Sequence, residues 1–180
     1  AGSWGTALAN LLAEKGLEVD LWVREEEVFR QILDERVNGV FLPGVRLSEG
    51  LRPVISFEEA LRDKQVAVLA IPSHVFREVL VGIKPFVRSN TVMVIATKGI
   101  ENHTLMVMSE VAREILDERC RETLACLSGP SFAREVAQHY PTAVTVACPH
   151  MGYAKALQEL FSRDFFRVYA GDDMIGTQLG

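Results

Sequence analysis

The chain opens on a glycine pattern that could hold a phosphate. Residues 1–5 read Ala-Gly-Ser-Trp-Gly. With a glycine before Ala1 they would complete G-x-G-x-x-G, with Gly2 and Gly5 as its second and third glycines. The second glycine of such a loop lets the backbone approach a pyrophosphate, and the third lets the next helix pack close on a sheet. The N–H groups and dipole of that helix favour an anion. Two glycines in this register also suit a plain helix-start turn. The phosphate reading gains weight because a helical stretch follows at once and a β-rich run, Val19 to Val23, arrives where the second strand of a βαβ unit belongs.

Roughly 20 residues after such glycines, a strand end carries Asp or Glu for a ribose 2′-OH, or Arg for a 2′-phosphate. Arg24 stands there and favours NADP(H). Glu25 follows it and would repel a phosphate if it faced the same way, and a solvated charge at a strand end is the plainer account of Arg24. Asp20 lies within the strand, too early to reach the ribose. Further on, Lys98-Gly99 follows the apolar run Thr91 to Ala96. Ligand sites in doubly wound sheets lie at the carboxyl ends of strands. An ammonium there could hold an anionic substrate and polarise a carbonyl; an ordinary surface lysine is the alternative. Ser128-Gly129-Pro130-Ser131 ends the run Leu124 to Leu127 in the same way. Ser131 also reads as an N-cap for a helix starting near Phe132, with Glu135 near the capping-box position. Pro72-Ser73, after Val66 to Ile71, could line a nicotinamide or simply end a strand.

The elements that must position these residues alternate. Continuous apolar runs (VDLWV, VAVLAI, TVMVIA and, more weakly, LACL and AVTVA) suit strands buried on both faces. Between them the spacing predicts helices over Thr6–Lys15, Glu25–Asn38, Phe57–Asp63, Ser73–Gly82, Leu105–Arg119 and Gly152–Ser162. Gly16 is a natural stop for the first. Asn38 to Pro53 is the longest irregular stretch, long enough for a binding role. The pattern predicts an α/β fold, a Rossmann-like, doubly wound, mostly parallel sheet.

With 180 residues, 48% hydrophobic and 24% charged, the chain reads as one globular domain, residues 1–180. A net charge of −5 argues against a general grip on nucleic acid or anionic lipid. Cys120, Cys126 and Cys148 form no CxxC pair, and His74, His103, His139 and His150 lack metal-ligand spacing. We expect no metal, ordinary thiols in a reducing cytoplasm, no membrane-spanning run and no signal peptide. Both ends read as cut, with a strand expected before Ala1.

In order along the chain, AGSWGTALA, NGVFLPG, AIPSHVFREVL, ATKGIE, LSGPSFAREVA and DDMIGTQLG resemble the NAD(P)-dependent sn-glycerol-3-phosphate dehydrogenases of bacterial type. The resemblance spans the whole chain and is most specific in ATKGIE and SGPSFA. It implies the N-terminal domain of an enzyme interconverting sn-glycerol 3-phosphate and dihydroxyacetone phosphate with NADP or NAD, feeding glycerophospholipid synthesis. It implies that Ser3 and Trp4 meet the cofactor phosphates and that Arg24 takes the basic position at the adenosine end. Phe41 falls on an aromatic cofactor contact and Lys98 on a lysine shared by cofactor and substrate. Gly129 and Ser131 fall on substrate contacts, and Ala133 on a cofactor contact. The family's general acid/base lysine and helical C-terminal domain would lie beyond Gly180, and a homodimer is one expected assembly. A dinucleotide sensor without turnover, or a Rossmann dehydrogenase acting on a hydroxy acid or ketopantoate, are the competing functions.

Overall fold

The apolar runs become strands and the amphipathic runs become helices packed on them. The computed structural model describes residues 1–180. In chain order it runs α1 (Ser3–Ala13), β1 (Val19–Trp22), α2 (Glu26–Arg30), β2 (Val37–Asn38), β3 (Leu42–Arg46), β4 (Leu51–Val54), α3 (Phe57–Leu61), β5 (Val66–Leu69) and α4 (Ser73–Ile83). It continues with β6 (Val92–Ile95), α5 (Met108–Ile115), α6 (Glu118–Glu122), β7 (Ala125–Ser128), α7 (Ala133–Ala137), β8 (Thr142–Ala147), α8 (Met151–Phe161), β9 (Phe166–Gly171) and α9 (Met174–Leu179). Strands β5 to β9 form a five-stranded sheet in sequence order. Its pairs are parallel except β7–β8, which is antiparallel. β1 pairs in parallel with β4 as a separate ribbon, and β2 with β3 forms a short antiparallel hairpin.

Strand alternation explains why the central runs are apolar throughout. In β6, Val94 joins one core cluster with Leu8, Leu127 and Phe161, while Met93 and Ile95 join another with Phe76, Leu80 and Val111. Each face of the strand is covered, so neither set of positions tolerates polarity. Helix α1 lies between two cores. Its leucines (Leu8, Leu11, Leu12) enter the first cluster, and its small side chains (Ala7, Ala9, Ala13) meet Leu21, Ile32, Leu42 and Leu51 in a third. Large residues on one side and alanines on the other bring the β1–β4 ribbon and the hairpin close to α1.

The structure corrects several expectations. Most residues of β1 and β5 are only half-buried, although β5 does pack on both faces, with Val66 and Val68 against the first cluster and Ala67 and Leu69 with the second. The two strands are not hydrogen-bonded to each other, and an unpaired edge leaves a strand's flank in contact with solvent. The helix expected over Glu25–Asn38 ends early: after α2 comes a π turn, Gln31–Glu35, and Arg36 is left-handed (φ 59°). Asn38 is drawn into the interior and cannot continue a surface helix. The stretch Asn38 to Pro53 is not irregular but holds β3 and β4. The helix expected over Leu105–Arg119 is broken where buried Leu116 turns extended, and α6 starts afresh after Asp117. Strand β9 and helix α9 were not foreseen; β9 alternates buried and exposed residues at its start instead of forming a continuous apolar run.

All three cysteines are free and buried, and burial pushes the Cys126 thiol up to about 12. No helix is long and apolar enough to cross a membrane.

Candidate functional site

Gly2 is the extended residue before α1, and the first intrahelical bond runs from Thr6 N to the Gly2 carbonyl (2.9 Å). The N–H groups of Ser3, Trp4 and Gly5 therefore have no acceptor within the helix, and no side chain caps them. A Cβ at Gly2 would stand in open space, so the backbone in front of these amides is bare. Gly5 faces Ala70, just beyond β5, with a built Cβ 3.5 Å from the Ala70 Cβ. The helix start thus lies over the carboxyl end of β5, though at ordinary contact distance, so a methyl could be accommodated there. The Ala1 nitrogen donates to the Trp22 carbonyl (2.9 Å), placing the loop at the carboxyl end of β1 as well. These bare amides, a bare glycine and two strand ends fit the diphosphate of a dinucleotide.

The Trp4 side chain points inward, packing against the first and third clusters, and its indole N–H is buried without a partner. What Trp4 offers a phosphate is its backbone N–H. The Ser3 hydroxyl donates to the Phe41 carbonyl, which joins the two positions. Phe41 and Ala133 are half-buried against the same third cluster.

Arg24 is exposed at the end of β1, as expected, but it is engaged. Its Nε and Nη2 donate to Glu25 Oε1 at 3.0 and 2.8 Å. Glu25 therefore neutralises Arg24 instead of standing apart from it. Partial burial would raise the Glu25 carboxyl, yet the hydrogen bonds and charge of Arg24 hold it below its ordinary value. Asp20 is committed elsewhere: it pairs with Arg52 at 2.7 Å and Lys64 at 2.6 Å, tying β1 to β4 and to the turn before β5. Those hydrogen bonds outweigh a burial effect of opposite sign and keep its pKa low.

The two loops singled out at the ends of β6 and β7 meet. Lys98 is exposed, and its Nζ donates to the Gly129 carbonyl at 2.9 Å. That carbonyl also accepts from Ser131 Oγ at 3.3 Å. Ser131 is not a helix cap: α7 begins after Phe132, whose side chain makes no capping bond. The serine hydroxyl is instead turned back to Gly129. Gly99 is left-handed (φ 102°), and a Cβ there would come within 3.2 Å of Ser73 Oγ. Pro72-Ser73, Lys98-Gly99 and Gly129 thus share one edge of the sheet. Beyond Gly129 lies a polar hollow of about 360 Å³, lined by Ser128, Thr145, Asp173 and Thr177 among others. A larger hollow, about 550 Å³, is charged and lies beside Glu14 and His139 at the far ends of α1 and α7.

Supporting residues went unread in the sequence. Thr97 Oγ1 donates to the Leu69 carbonyl (2.9 Å) and accepts from Ile71 N (3.2 Å), fixing the ends of β5 and β6 together. Arg77 of α4 forks onto Glu101 at 2.8 and 2.9 Å, and its Nη2 also reaches Glu114 of α5 at 3.1 Å. This pins the loop three residues after Lys98. No periodicity marks Arg77 or Glu101, because their pairing is long-range. The Arg77 hydrogen bonds, with one from Thr104, lower the Glu101 pKa from 4.5 to about 2. A depressed carboxyl contributes stability above its unfolded pKa and loses it as pH falls through the folded one. Glu101→Gln is therefore expected to lower the melting temperature most at neutral pH. The gap to the parent should close as pH falls from 4.5 to about 2. Thermal melts across that range check this, and a gap independent of pH would rule it out.

The family described as NAD-dependent glycerol-3-phosphate dehydrogenase N-terminus matches residues 1–154. The chain is 45% identical over 179 residues to the glycerol-3-phosphate dehydrogenase [NAD(P)+] of Syntrophobacter fumaroxidans, covering 99% of this chain and 53% of that protein. It is 47% identical over 180 residues to the corresponding protein of Geobacter metallireducens, covering 100% of this chain and 54% of that one. The chain spans about half the length of the curated relatives it matches. Among solved structures, the glycerol-3-phosphate dehydrogenase of Coxiella burnetii superposes with a TM-score of 0.91 at 36% identity, over 99% of this chain and 54% of that one. The enzyme of that name from Saccharomyces cerevisiae superposes at 0.87 and 28%, over 99% and 56%.

Proposed function

As this chain belongs to the family of NAD-dependent glycerol-3-phosphate dehydrogenases, whose N-terminal region it matches over residues 1–154, we propose that it is the dinucleotide-binding domain of an enzyme interconverting sn-glycerol 3-phosphate and dihydroxyacetone phosphate. The observation that carries this reading is the meeting of Lys98, Gly129 and Ser131 beyond the carboxyl ends of β6 and β7, while the bare amides of α1 lie over the carboxyl ends of β5 and β1. Nicotinamide, when bound, supplies the hydride chemistry. The amides of Ser3, Trp4 and Gly5 would hold the diphosphate, and Phe41 and Ala133 would contact the cofactor. Lys98 gives a cation for the substrate phosphate or for the oxygen that gains charge as the carbonyl is reduced. Gly129 and Ser131 orient the substrate beside it.

A following helical domain supplies the general acid/base lysine in this reading, in keeping with relatives of which this chain spans about half. A strand ahead of Ala1 would fill the gap between β1 and β5. The cytoplasmic location belongs to the same proposal, supported by three buried free thiols, which a reducing compartment preserves. A homodimer is its expected assembly.

The test is steady-state reduction of a panel of ketones by the full-length enzyme, with NADH and NADPH, for the parent and for Arg24→Ala. Dihydroxyacetone phosphate should be the preferred substrate. Equal or better rates on an unphosphorylated keto acid would overturn the reading, and binding without turnover would favour a sensor. Removing Arg24 should weaken NADPH about tenfold, the worth of a charge-assisted hydrogen bond, and NADH little. Equal losses would mean that Glu25 keeps Arg24 away from the 2′-phosphate.

A further inference from the structure

Building on the proposed cofactor site, we propose that Asn38 is its positioning residue. The side chain holds the glycine loop and the Phe41 turn in one register without touching the ligand. Asn38, the last residue of β2, is wholly buried, 0% exposed, with its side chain turned onto α1. Its Nδ2 donates to the Ala1 carbonyl at 3.1 Å and to Thr6 Oγ1 at 2.9 Å. Its Oδ1 accepts from Phe41 N at 3.0 Å. Ala1 and Thr6 bracket the residues whose amides lack acceptors. Phe41 in turn takes the Ser3 hydroxyl on its carbonyl, so the chain from Asn38 through Ala1, Ser3 and Phe41 closes into a ring. Gln31 braces the turn from outside, accepting from Gly39 N at 2.9 Å.

The carboxamide is specified by chemistry. The site needs two donors and one acceptor on a single planar group. Aspartate has no donor, leucine no polar atom, and serine too short a reach. A buried polar network of this kind rigidifies its surroundings when every member is satisfied. Rigidity matters here because helix-start amides bind a diphosphate only if they converge on it. The diphosphate is common to NADH and NADPH, so Asn38 should affect both alike, unlike Arg24.

The test measures NADH and NADPH affinity by fluorescence titration of the full-length enzyme, alongside steady-state kinetics. Asn38→Ala is expected to raise Kd and KM for both cofactors by about tenfold, the combined effect of the lost hydrogen bonds. The KM for the ketone, and kcat at saturating cofactor, should stay within about twofold. If that variant does not fold, Thr6→Val removes one of the contacts with little change of shape. It should raise both cofactor Kd values about threefold. Unchanged Kd values in a folded variant would overturn the proposal, and so would a fall in kcat with Kd unmoved, the mark of a merely structural role. A parent enzyme that binds neither cofactor would overturn the proposed function and this inference with it. A parent that binds both, with variants that bind equally well, overturns this inference alone.

Discussion

Lys98→Met in the full-length enzyme is expected to lower kcat/KM for the ketone on the order of 100-fold, the usual cost of removing one preorganised donor from a developing charge. The methionine keeps much of the apolar stem and discards the cation. Lys98 is free to serve a ligand because it makes no ion pair. Its ammonium rests on the Gly129 carbonyl, 2.9 Å away, a contact a substrate oxygen can share or replace. Folding should be little changed, since the side chain is exposed and an exposed hydrogen bond is worth about 1 kcal/mol or less. Steady-state kinetics with a thermal melt checks both halves. A near-native kcat/KM would remove Lys98 from the site, and a collapsed melting temperature would make it a structural residue.

Gly129→Ala should act on both stability and the site. Gly129 has φ 152°, and a Cβ there would stand 2.9 Å from the Val144 Cα and 3.0 Å from the Ala143 carbonyl. Both are backbone atoms of β8, which cannot rotate away. Overpacking and backbone strain together should cost about 2–4 kcal/mol, a drop in melting temperature on the order of 10 °C for a chain of this size. The variant should also lose activity beyond its loss of folded protein, because the Gly129 carbonyl that anchors Lys98 and Ser131 must shift. Calorimetry and kinetics on the folded fraction test this. A melting temperature within a degree or two of the parent would show that the turn relaxes at no cost.

The glycine loop and the two glycine-bearing strand ends were legible because each signal is local. A glycine loop before a helix, and Lys98-Gly99 or Ser128-Gly129 after an apolar run, need only a few consecutive residues to be read. The helices α1 and α4 and the two-faced burial of β6 were legible for the same reason: periodicity records which elements meet the core. Asn38, Thr97, Arg77 and Gln31 were not. Asn38, Thr97 and Arg77 act through partners far along the chain, such as Asn38 on Ala1 and Thr6 or Arg77 on Glu101 and Glu114, and Gln31 acts across the irregular turn before the hairpin, so no spacing rule reports them.

Taken by itself, the sequence determined the α/β class, the order of the apolar runs, the placing of cation and glycine at strand ends, and the family those phrases resemble. The folded arrangement was needed to show that Lys98 and Ser131 converge on one carbonyl and that Arg24 is already paired with Glu25. It alone showed that the stretch after Asn38 is a hairpin and that β7 and β8 run antiparallel. The division has a physical cause. Hydrophobic periodicity is fixed by the geometry of one helix or strand, whereas hydrogen bonds and ion pairs between loops depend on where separate elements come to rest.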